Sequence, residues 1–151
     1  MIMDLDLDEF CKTIKESEVM YLATSVDNEV FIRPVSPLLV DEKTVCFYTA
    51  NDSEKYQQMK ANSQIAFCVG PMGAYQVKGT IRFLGSVFSE ENKALNKQYR
   101  ERYKGAFEIS APGETMENNE FVIVDISVVK GWIFDKENPE IPIGMGETHF
   151  A

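Results

Sequence analysis

The sequence is poor in the residue types that build metal and acid–base sites. Its 151 residues include one histidine, His149, and three cysteines that stand far apart, Cys11, Cys46 and Cys68. No Cys-x-x-Cys pair occurs and no cysteine has a histidine beside it in the chain, so we expect no metal site. A catalytic cysteine also needs a nearby base, so we expect Cys46 and Cys68, which stand in apolar runs, to be small buried hydrophobic residues.

Basic residues are in the minority. The chain has 15 lysines and arginines against 24 acidic residues, which gives a formal net charge of −9. Such a surface repels the phosphates of nucleic acids and anionic membranes, so we expect neither as a partner. No apolar run approaches the roughly 20 residues of a membrane span, and residues 1–9 lack the basic start and apolar block of a signal peptide. We therefore expect a cytoplasmic protein.

The length and the apolar content of 44% fit a single domain, 1–151, with a hydrophobic core. Periodicity predicts the order helix, three strands, helix, two strands, helix, strand. The predicted helices cover 8–17, 54–61 and 89–104, and the predicted strands cover 18–24, 30–40, 44–49, 63–69, 75–88 and 121–134. The tail after Asp135 carries prolines and glycines, and we expect it to be irregular. Short connections favour antiparallel neighbours, so the pattern predicts a mainly β protein, a small six-stranded antiparallel barrel with two to three flanking helices.

Prolines and glycines mark the points where strands should be interrupted. Pro34 and Pro37 cannot donate to a sheet ladder, so part of the second strand should lie at an edge or a bulge. Gly79 and Gly85 lie within the long strand 75–88 and predict bulges or bends there. A closed or partly closed sheet needs such bends.

Polar residues of the second and third strands suggest an anion site. Arg33 interrupts an apolar run, Tyr48 and Thr49 end the next strand, and Ser53 and Lys55 open the following helix. Helix-start N–H groups and the helix dipole favour an anion, arginine can grip phosphate oxygens with two donors, and lysine adds a point charge. A plainer interpretation stays open, in which Arg33 pairs with a surface acid, Ser53 only caps the helix and Lys55 is solvated.

Four short motifs in order give the sequence a family resemblance. They are Arg33-Pro34-Val35, Phe47-Tyr48-Thr49, Ser53-Glu54-Lys55 and Gln76-Val77-Lys78-Gly79. In this order and spacing the chain resembles the pyridoxamine 5′-phosphate oxidase-like family of FMN-binding split barrels. The resemblance is specific from Arg33 to Gly79 and looser from the first helix to about Val124.

The resemblance implies a role for each matching residue. Arg33 and Lys55 would bind the phosphate of FMN, and Thr49 and Ser53 would donate further hydrogen bonds to it. The backbone of Pro34, Val35 and Ser36 would line the isoalloxazine ring, Tyr48 would pack near the ligand, and Gln76 would hydrogen-bond the flavin. Because the cofactor of this family lies at a dimer interface, the resemblance also implies a homodimer.

Two departures from the family pattern shape the functional prediction. Glu54 stands where the family has an arginine, which removes one cation and adds an anion, so phosphate binding should be weaker unless another basic residue compensates. The C-terminal arginine and histidine that hold pyridoxal phosphate in the true oxidases are also missing. We therefore expect one of the small, functionally diverse members and not a vitamin B6 oxidase.

The leading hypothesis is an FMN-dependent oxidoreductase whose flavin exchanges electrons with a small-molecule substrate or an electron donor, such as a reduced nicotinamide or another flavin carrier. The alternative is a flavin-binding carrier, sensor or stress-response protein without dedicated turnover. A third hypothesis keeps the barrel and changes the ligand to a deazaflavin or haem, although the lone His149 argues against haem.

Trp132 and a group of four residues on the third predicted helix lie outside these motifs, and each has two interpretations. Trp132 either covers the flavin from a partner subunit or, as we favour, is a core or interface residue. Tyr99 and Tyr103 stand on the third predicted helix with Arg100 and Arg102. The four either border a substrate pocket or, as we favour, form a solvated helix face.

Overall fold

Three α-helices flank the sheet of this protein, whose computed structural model describes residues 3–107 and 116–150. They are α1 (Leu7–Glu16), α2 (Glu54–Ala61) and α3 (Lys93–Arg102). Asp6 caps α1 by accepting a hydrogen bond from the Glu9 N–H at 3.1 Å. Phe10 and Ile14 are four residues apart, so they lie on the same face of α1, and both are buried in the core. No helix within the described ranges combines the length and the apolar character needed to cross a membrane.

Eight antiparallel strands form one sheet within the described residues. They are β1 (Met20–Val26), β2 (Glu29–Val35), β3 (Leu38–Asp41), β4 (Thr44–Ala50), β5 (Gln64–Val69), β6 (Tyr75–Ser86), β7 (Asn119–Phe134) and β8 (Pro142–His149). The spatial order is β2-β1-β5-β6-β7-β4-β3, and β8 also pairs with β7. The long strand β7 therefore splits the sheet, because its first half pairs with β4 and its second half with β8.

The connection between β2 and β3 closes the barrel. These two strands lie at opposite ends of the strand order, yet only Ser36 and Pro37 separate them in the chain. A two-residue link cannot span a flat sheet of seven strands, since neighbouring strands lie about 4.8 Å apart. The sheet must therefore curl until its two edges meet at Ser36 and Pro37, and we call this junction the seam.

Local backbone geometry explains the turns and bends. Asp27 and Asn28 connect β1 to β2 with φ angles of 49° and 67°, the left-handed pair of a type I′ hairpin turn. The pairing of β6 with β7 shifts register beside Gly79 and again beside Gly85, as the glycine positions predicted. Gly85 has a φ of 80°, a conformation that glycine adopts without strain.

The barrel interior holds the larger hydrophobic cluster, to which α1, α2 and the inward faces of β1, β4, β5, β6 and β7 contribute. A smaller cluster lies under α3 and joins Tyr99 and Phe107 to Phe121 of β7. Cys46 belongs to this second cluster and is fully buried, whereas Cys11 and Cys68 are half-buried. Burial thus makes Cys46 a core residue, as predicted, while Cys68 keeps part of its surface exposed.

The structure confirms the predicted antiparallel barrel with three helices, but it has eight strands instead of six. One additional strand arises because the predicted strand 30–40 breaks at Ser36 and Pro37 into β2 and β3. The other is β8, so the prediction of an irregular tail was wrong. Its glycines serve close packing: a Cβ on Gly146 would lie 2.7 Å from Leu5 Cδ2, and one on Gly144 would lie 3.3 Å from Met3 Sδ.

We predict that Gly79→Ala lowers the free energy of unfolding by about 1–3 kcal/mol, because overpacking forces the backbone to shift. A Cβ at this position would lie 2.6 Å from the Asp125 carbonyl oxygen and 2.7 Å from Val124 Cγ1. Urea unfolding followed by circular dichroism measures the change. The control is Thr80→Ala at the next, exposed position, for which we expect a loss of about 1 kcal/mol or less. Equal losses in the two variants would contradict this account of the bend.

Candidate ligand-binding site

A cavity of about 500 Å³ opens beside the seam. Five parts of the chain form its walls: the end of β2 with Ser36, the end of β4, the start of α2, the end of α3 with the residues after it, and the start of β7. The lining residues are Pro34, Val35, Ser36, Tyr48, Thr49, Ala50, Ser53, Lys55, Tyr99, Tyr103, Lys104, Gly105, Ala106 and Asn119. Its size falls within the usual range of small-molecule sites, about 300–1,000 Å³.

One corner of this cavity has the composition of an anion site. Ser53 is the N-cap of α2 and accepts a hydrogen bond from the Tyr56 N–H at 3.3 Å. The Thr49 hydroxyl lies 3.0 Å from the Ser53 hydroxyl, and the two share a hydrogen bond. Lys55 lines the same corner in the first turn of α2. A helix N-terminus, two hydroxyls and a cation thus meet in one place, an arrangement that favours a bound anion.

The opposite wall is fixed to the seam by two tyrosines, one in α3 and one at its C-cap. The Tyr99 hydroxyl donates to the Ser36 carbonyl at 2.7 Å, and the Tyr103 hydroxyl donates to the Pro37 carbonyl at 2.5 Å. Burial raises the pKa of Tyr99 and of Tyr103, so both hydroxyls keep their protons and remain donors. These bonds hold the end of α3 against the backbone that leads out of β2.

Aromatic rings fill the space behind the cavity. Tyr48 contacts Tyr99 at a centroid distance of 5.2 Å and Phe107 at 4.7 Å, both in the inclined geometries that aromatic pairs prefer. Burial also raises the pKa of Tyr48. The wall that Tyr48 presents to the cavity is therefore apolar and neutral, which suits a flat, uncharged ring.

Seven of the nine residues predicted to bind the ligand line this one cavity. They are Pro34, Val35, Ser36, Tyr48, Thr49, Ser53 and Lys55. Among the described residues, the lining does not include Arg33 or Gln76. Arg33 points to the inner side of β2, where its guanidinium donates to Leu22, Thr24 and Gln58. Gln76 lies on the outer face of the sheet, paired in register with Cys68 of β5 and Lys130 of β7.

Little in the sequence indicated the far wall. The favoured interpretation placed Tyr99 and Tyr103 on a solvated face, yet Tyr99 is only 2% exposed and both line the cavity. Their spacing of four residues, which places two rings on one helix face, was the available signal. Lys104 and Asn119 carried no such signal, because they reach the cavity only through the docking of α3 and the pairing of β7 with β4.

The remaining candidate residues lie away from the cavity. Trp132 is 48% exposed on β7, so it is not a core residue. His149 lies on β8 with its Nε2 at 3.1 Å from a carboxylate oxygen of Glu147. Within 3–107 and 116–150, no group of three histidine, cysteine or acidic side chains is arranged to hold a metal ion.

The fold defines a class: an antiparallel split barrel, here with a cavity beside its seam. Residues 7–133 match the family model described as Pyridoxamine 5′-phosphate oxidase. The match covers most of the chain, so the protein belongs to this family, and the resemblance predicted from the motifs is confirmed. A comparison with curated proteins gave no significant match.

Solved structures share the same fold at low sequence identity. An FAD-binding protein from Mesorhizobium loti is 17% identical, with a TM-score of 0.60 over 83% of this chain and 92% of that chain. General Stress Protein 26 from Bacillus anthracis is 12% identical, with a TM-score of 0.60 over 82% and 90%. A heme binding protein from Mycobacterium smegmatis is 12% identical, with a TM-score of 0.68 over 98% and 60%. At these identities the likeness establishes a shared fold only.

We predict that Tyr103→Phe lowers the free energy of unfolding by about 0.5–1.5 kcal/mol, because the Pro37 carbonyl loses its donor while the packing of the ring is kept. Thermal or urea unfolding measures the loss. Thr80→Val, which removes a hydroxyl from an exposed side chain of β6, is the control and should change stability by about 0.5 kcal/mol or less. If both variants lost the same amount, the contact between α3 and the seam would not be stabilising.

Proposed function

We propose that this protein is a flavoprotein that binds FMN in the seam cavity and works as an FMN-dependent oxidoreductase. The observation that carries the proposal is the combination of an anion corner and a neutral aromatic wall in one cavity. FMN has the matching shape, a phosphate at one end of a ribityl chain and a flat ring system at the other.

The phosphate end of the proposed site is the corner at the start of α2. Thr49 and Ser53 supply hydroxyl donors, Lys55 supplies a positive charge, and the first N–H groups of α2 add the positive end of the helix dipole. This donor set fits a phosphate in chemistry and in charge. Arg33 is the other cation near this end, and it packs behind α2.

The ring end of the proposed site is the backbone of Pro34, Val35 and Ser36. Pro34 has no N–H, so Val35 and Ser36 are the only residues of this stretch that can donate backbone hydrogen bonds to a flavin edge. Tyr48 lies beside them and supplies the aromatic wall. Because Tyr99 and Tyr103 bind the carbonyls of Ser36 and Pro37, this backbone is held in place before a ligand arrives.

Lys104 can replace the positive charge that is lost because Glu54 stands where the family has an arginine. Lys104, just after α3, is among the residues that line the cavity, as is Lys55, whereas Glu54 is exposed and does not belong to the lining. Two lysines at one cavity favour a positive potential there, in a chain of net charge −9. We propose that Lys104 supplies the second positive charge for an anionic flavin.

The protein's contribution to the reaction would be binding and orientation, since FMN itself carries the electron transfer when bound. Among the described lining residues there is no carboxylate and no histidine, and the tyrosines are held neutral. This also suits the alternative, a flavin carrier or stress-response protein without turnover, and one protein of the same fold is a general stress protein. Bleaching of bound FMN by NADH or NADPH would favour the oxidoreductase, and a spectrum unchanged by both would favour the carrier.

A haem ligand is less well supported, although one protein of this fold is named for haem binding. Haem iron needs an axial ligand. The single histidine lies on β8 beside Glu147 and does not line the cavity. FMN is therefore the ligand that we propose.

A homodimer completes the proposed site through the outer face of the sheet. Pro34, Tyr21, Cys68, Gln76 and Lys130 form one row across five strands by their pairing register. Pro34 at one end of the row also lines the cavity, and Gln76 lies three strands away, about 14 Å at the usual strand spacing. A twofold axis through the middle of the row would bring Gln76 of a second copy to Pro34 of the first.

The outer face is also apolar enough to be an interface. Ile32 is 68% exposed and Tyr21 is 51% exposed, on neighbouring strands of the same face. Trp132, two residues after Lys130, adds a third exposed apolar side chain. Contiguous apolar surface of this kind marks association sites in proteins. The proposal therefore includes Gln76 as a flavin ligand supplied by the second copy.

We predict that the wild-type protein binds FMN more tightly than riboflavin, which lacks the phosphate, in titrations of flavin fluorescence. Lys55→Met should weaken FMN binding by about 10- to 100-fold and leave riboflavin binding unchanged, because it removes a charge-assisted bond. Lys104→Met should act in the same direction with a smaller loss. The control is Lys97→Met on the exposed side of α3. Equal affinities for the two flavins, or no binding of either, would contradict the proposal.

We predict that the wild-type protein sediments at twice the chain mass of 17.1 kDa and that Ile32→Glu shifts it to the single mass. Burying a charge at an apolar interface is unfavourable. FMN affinity should fall in the same variant, because Gln76 of the second copy is lost from the site. Val40→Glu, an exposed position on β3, is the matched control and should keep the dimer. A monomeric wild-type protein with full FMN affinity would contradict the shared site.

A further inference from the structure

Three polar side chains form a closed triangle under α2. One guanidinium nitrogen of Arg33, Nη1, donates to the Thr24 hydroxyl at 2.8 Å and to the Leu22 carbonyl at 3.3 Å. The other, Nη2, donates to the Gln58 side-chain oxygen at 2.5 Å. The Thr24 hydroxyl donates to the same Gln58 oxygen at 2.6 Å. Each member bonds both others, and the triangle joins β1, β2 and α2.

The triangle lies at the edge of the interior. Thr24 is 2% exposed, Gln58 is half-buried, and Arg33, also half-buried, faces the inner side of β2, opposite Leu22 of β1. Burial lowers the pKa of Arg33, although the negative charge of Glu54 works in the opposite direction. Buried polar networks of this kind are rigid when every donor is satisfied. Two nitrogens of the guanidinium therefore already donate to oxygen atoms of the protein.

Helix geometry connects the triangle to the anion corner. Gln58 follows Lys55 by three residues and Glu54 by four, so the three side chains lie on one face of α2. A tether at Gln58 fixes the rotation of the helix, and with it the direction of Lys55 and of the Ser53 cap. The negative charge of Glu54, on the same face of α2, acts to raise the pKa of Arg33.

We propose that Arg33 is a positioning residue, which sets the start of α2 through Gln58 and Thr24, and not a cation that touches the ligand's phosphate. The inference rests on the proposed flavin site and changes the role of Arg33 within it. It makes Gln58 and Thr24 residues that support the site. It also explains why an acidic residue is tolerated at position 54, since Arg33 lies close enough to Glu54 to feel its charge. The phosphate charge is then met by Lys55 and the helix start.

A double-mutant cycle on FMN affinity tests the inference. The variants are Arg33→Met, Gln58→Met and the double variant, each titrated with FMN and with riboflavin. We expect each single change to weaken FMN binding by about 5- to 10-fold, the effect of one or two hydrogen bonds. The double variant should lose no more than either single one. The ratio of FMN to riboflavin affinity should fall in all three, which a general loss of stability would not cause.

A second pair keeps the test decisive if Arg33→Met does not fold. Thr24→Val removes the hydroxyl at nearly constant volume and should weaken FMN binding by about 3- to 10-fold, while Thr24→Ser keeps the hydroxyl and should stay within about twofold of the wild type. Gln98→Met, at an exposed position of α3, is the control for glutamine replacement.

Two results would overturn the positioning role. One is a loss in Arg33→Met with no change in Gln58→Met and Thr24→Val, which would make Arg33 a direct phosphate ligand. The other is unchanged FMN affinity in Arg33→Met, Gln58→Met and Thr24→Val. Failure of the wild-type protein to bind FMN would instead refute the proposed function, so the two failures are distinguishable.

Discussion

The seam at Ser36 and Pro37 is the constraint on which the rest of the structure depends. Because a two-residue link joins strands at opposite ends of the sheet, the sheet must curl, and the edges meet without pairing. Unpaired backbone at such an edge needs partners. Tyr99 and Tyr103 bind two of its carbonyls, which brings α3 to the seam and makes the far wall of the cavity. Barrel closure and the ligand site therefore have one origin.

Two lysines lie at the cavity of a strongly acidic chain. Lys55 and Lys104 both line it, and Ser53, the N-cap of α2, belongs to the same lining. Glu54 does not belong to the lining, and its negative charge acts to raise the pKa of Arg33. An acidic surface with a cationic cleft would repel polyanions in general and would still admit a small anion that fits the cleft.

Local sequence patterns predicted the near wall of the cavity well. Thr49, Ser53 and Lys55 lie within seven residues, where a strand end leads directly into a helix start, so chain proximity alone places them together. The same period-two alternation that defines β2 and β6 puts Arg33 inside and Gln76 outside, an outcome that the sequence contained but that the family resemblance obscured.

The far wall and the tail were harder to predict because they depend on contacts distant in sequence. Tyr99 meets Ser36 across 63 positions, and nothing near α3 indicates that pairing. The glycines of β8 suggest irregular chain, yet they are needed where Met3 and Leu5 pack against the strand. Long-range docking, and not local propensity, decides both features.

A crystal structure of the FMN complex is the most direct measurement of the central claim. The account predicts the phosphate between Thr49, Ser53 and Lys55, the ring along Pro34 to Ser36, and Arg33 still bonded to Gln58. A phosphate bound at any other part of the surface, or a ring that does not contact the seam, would contradict it.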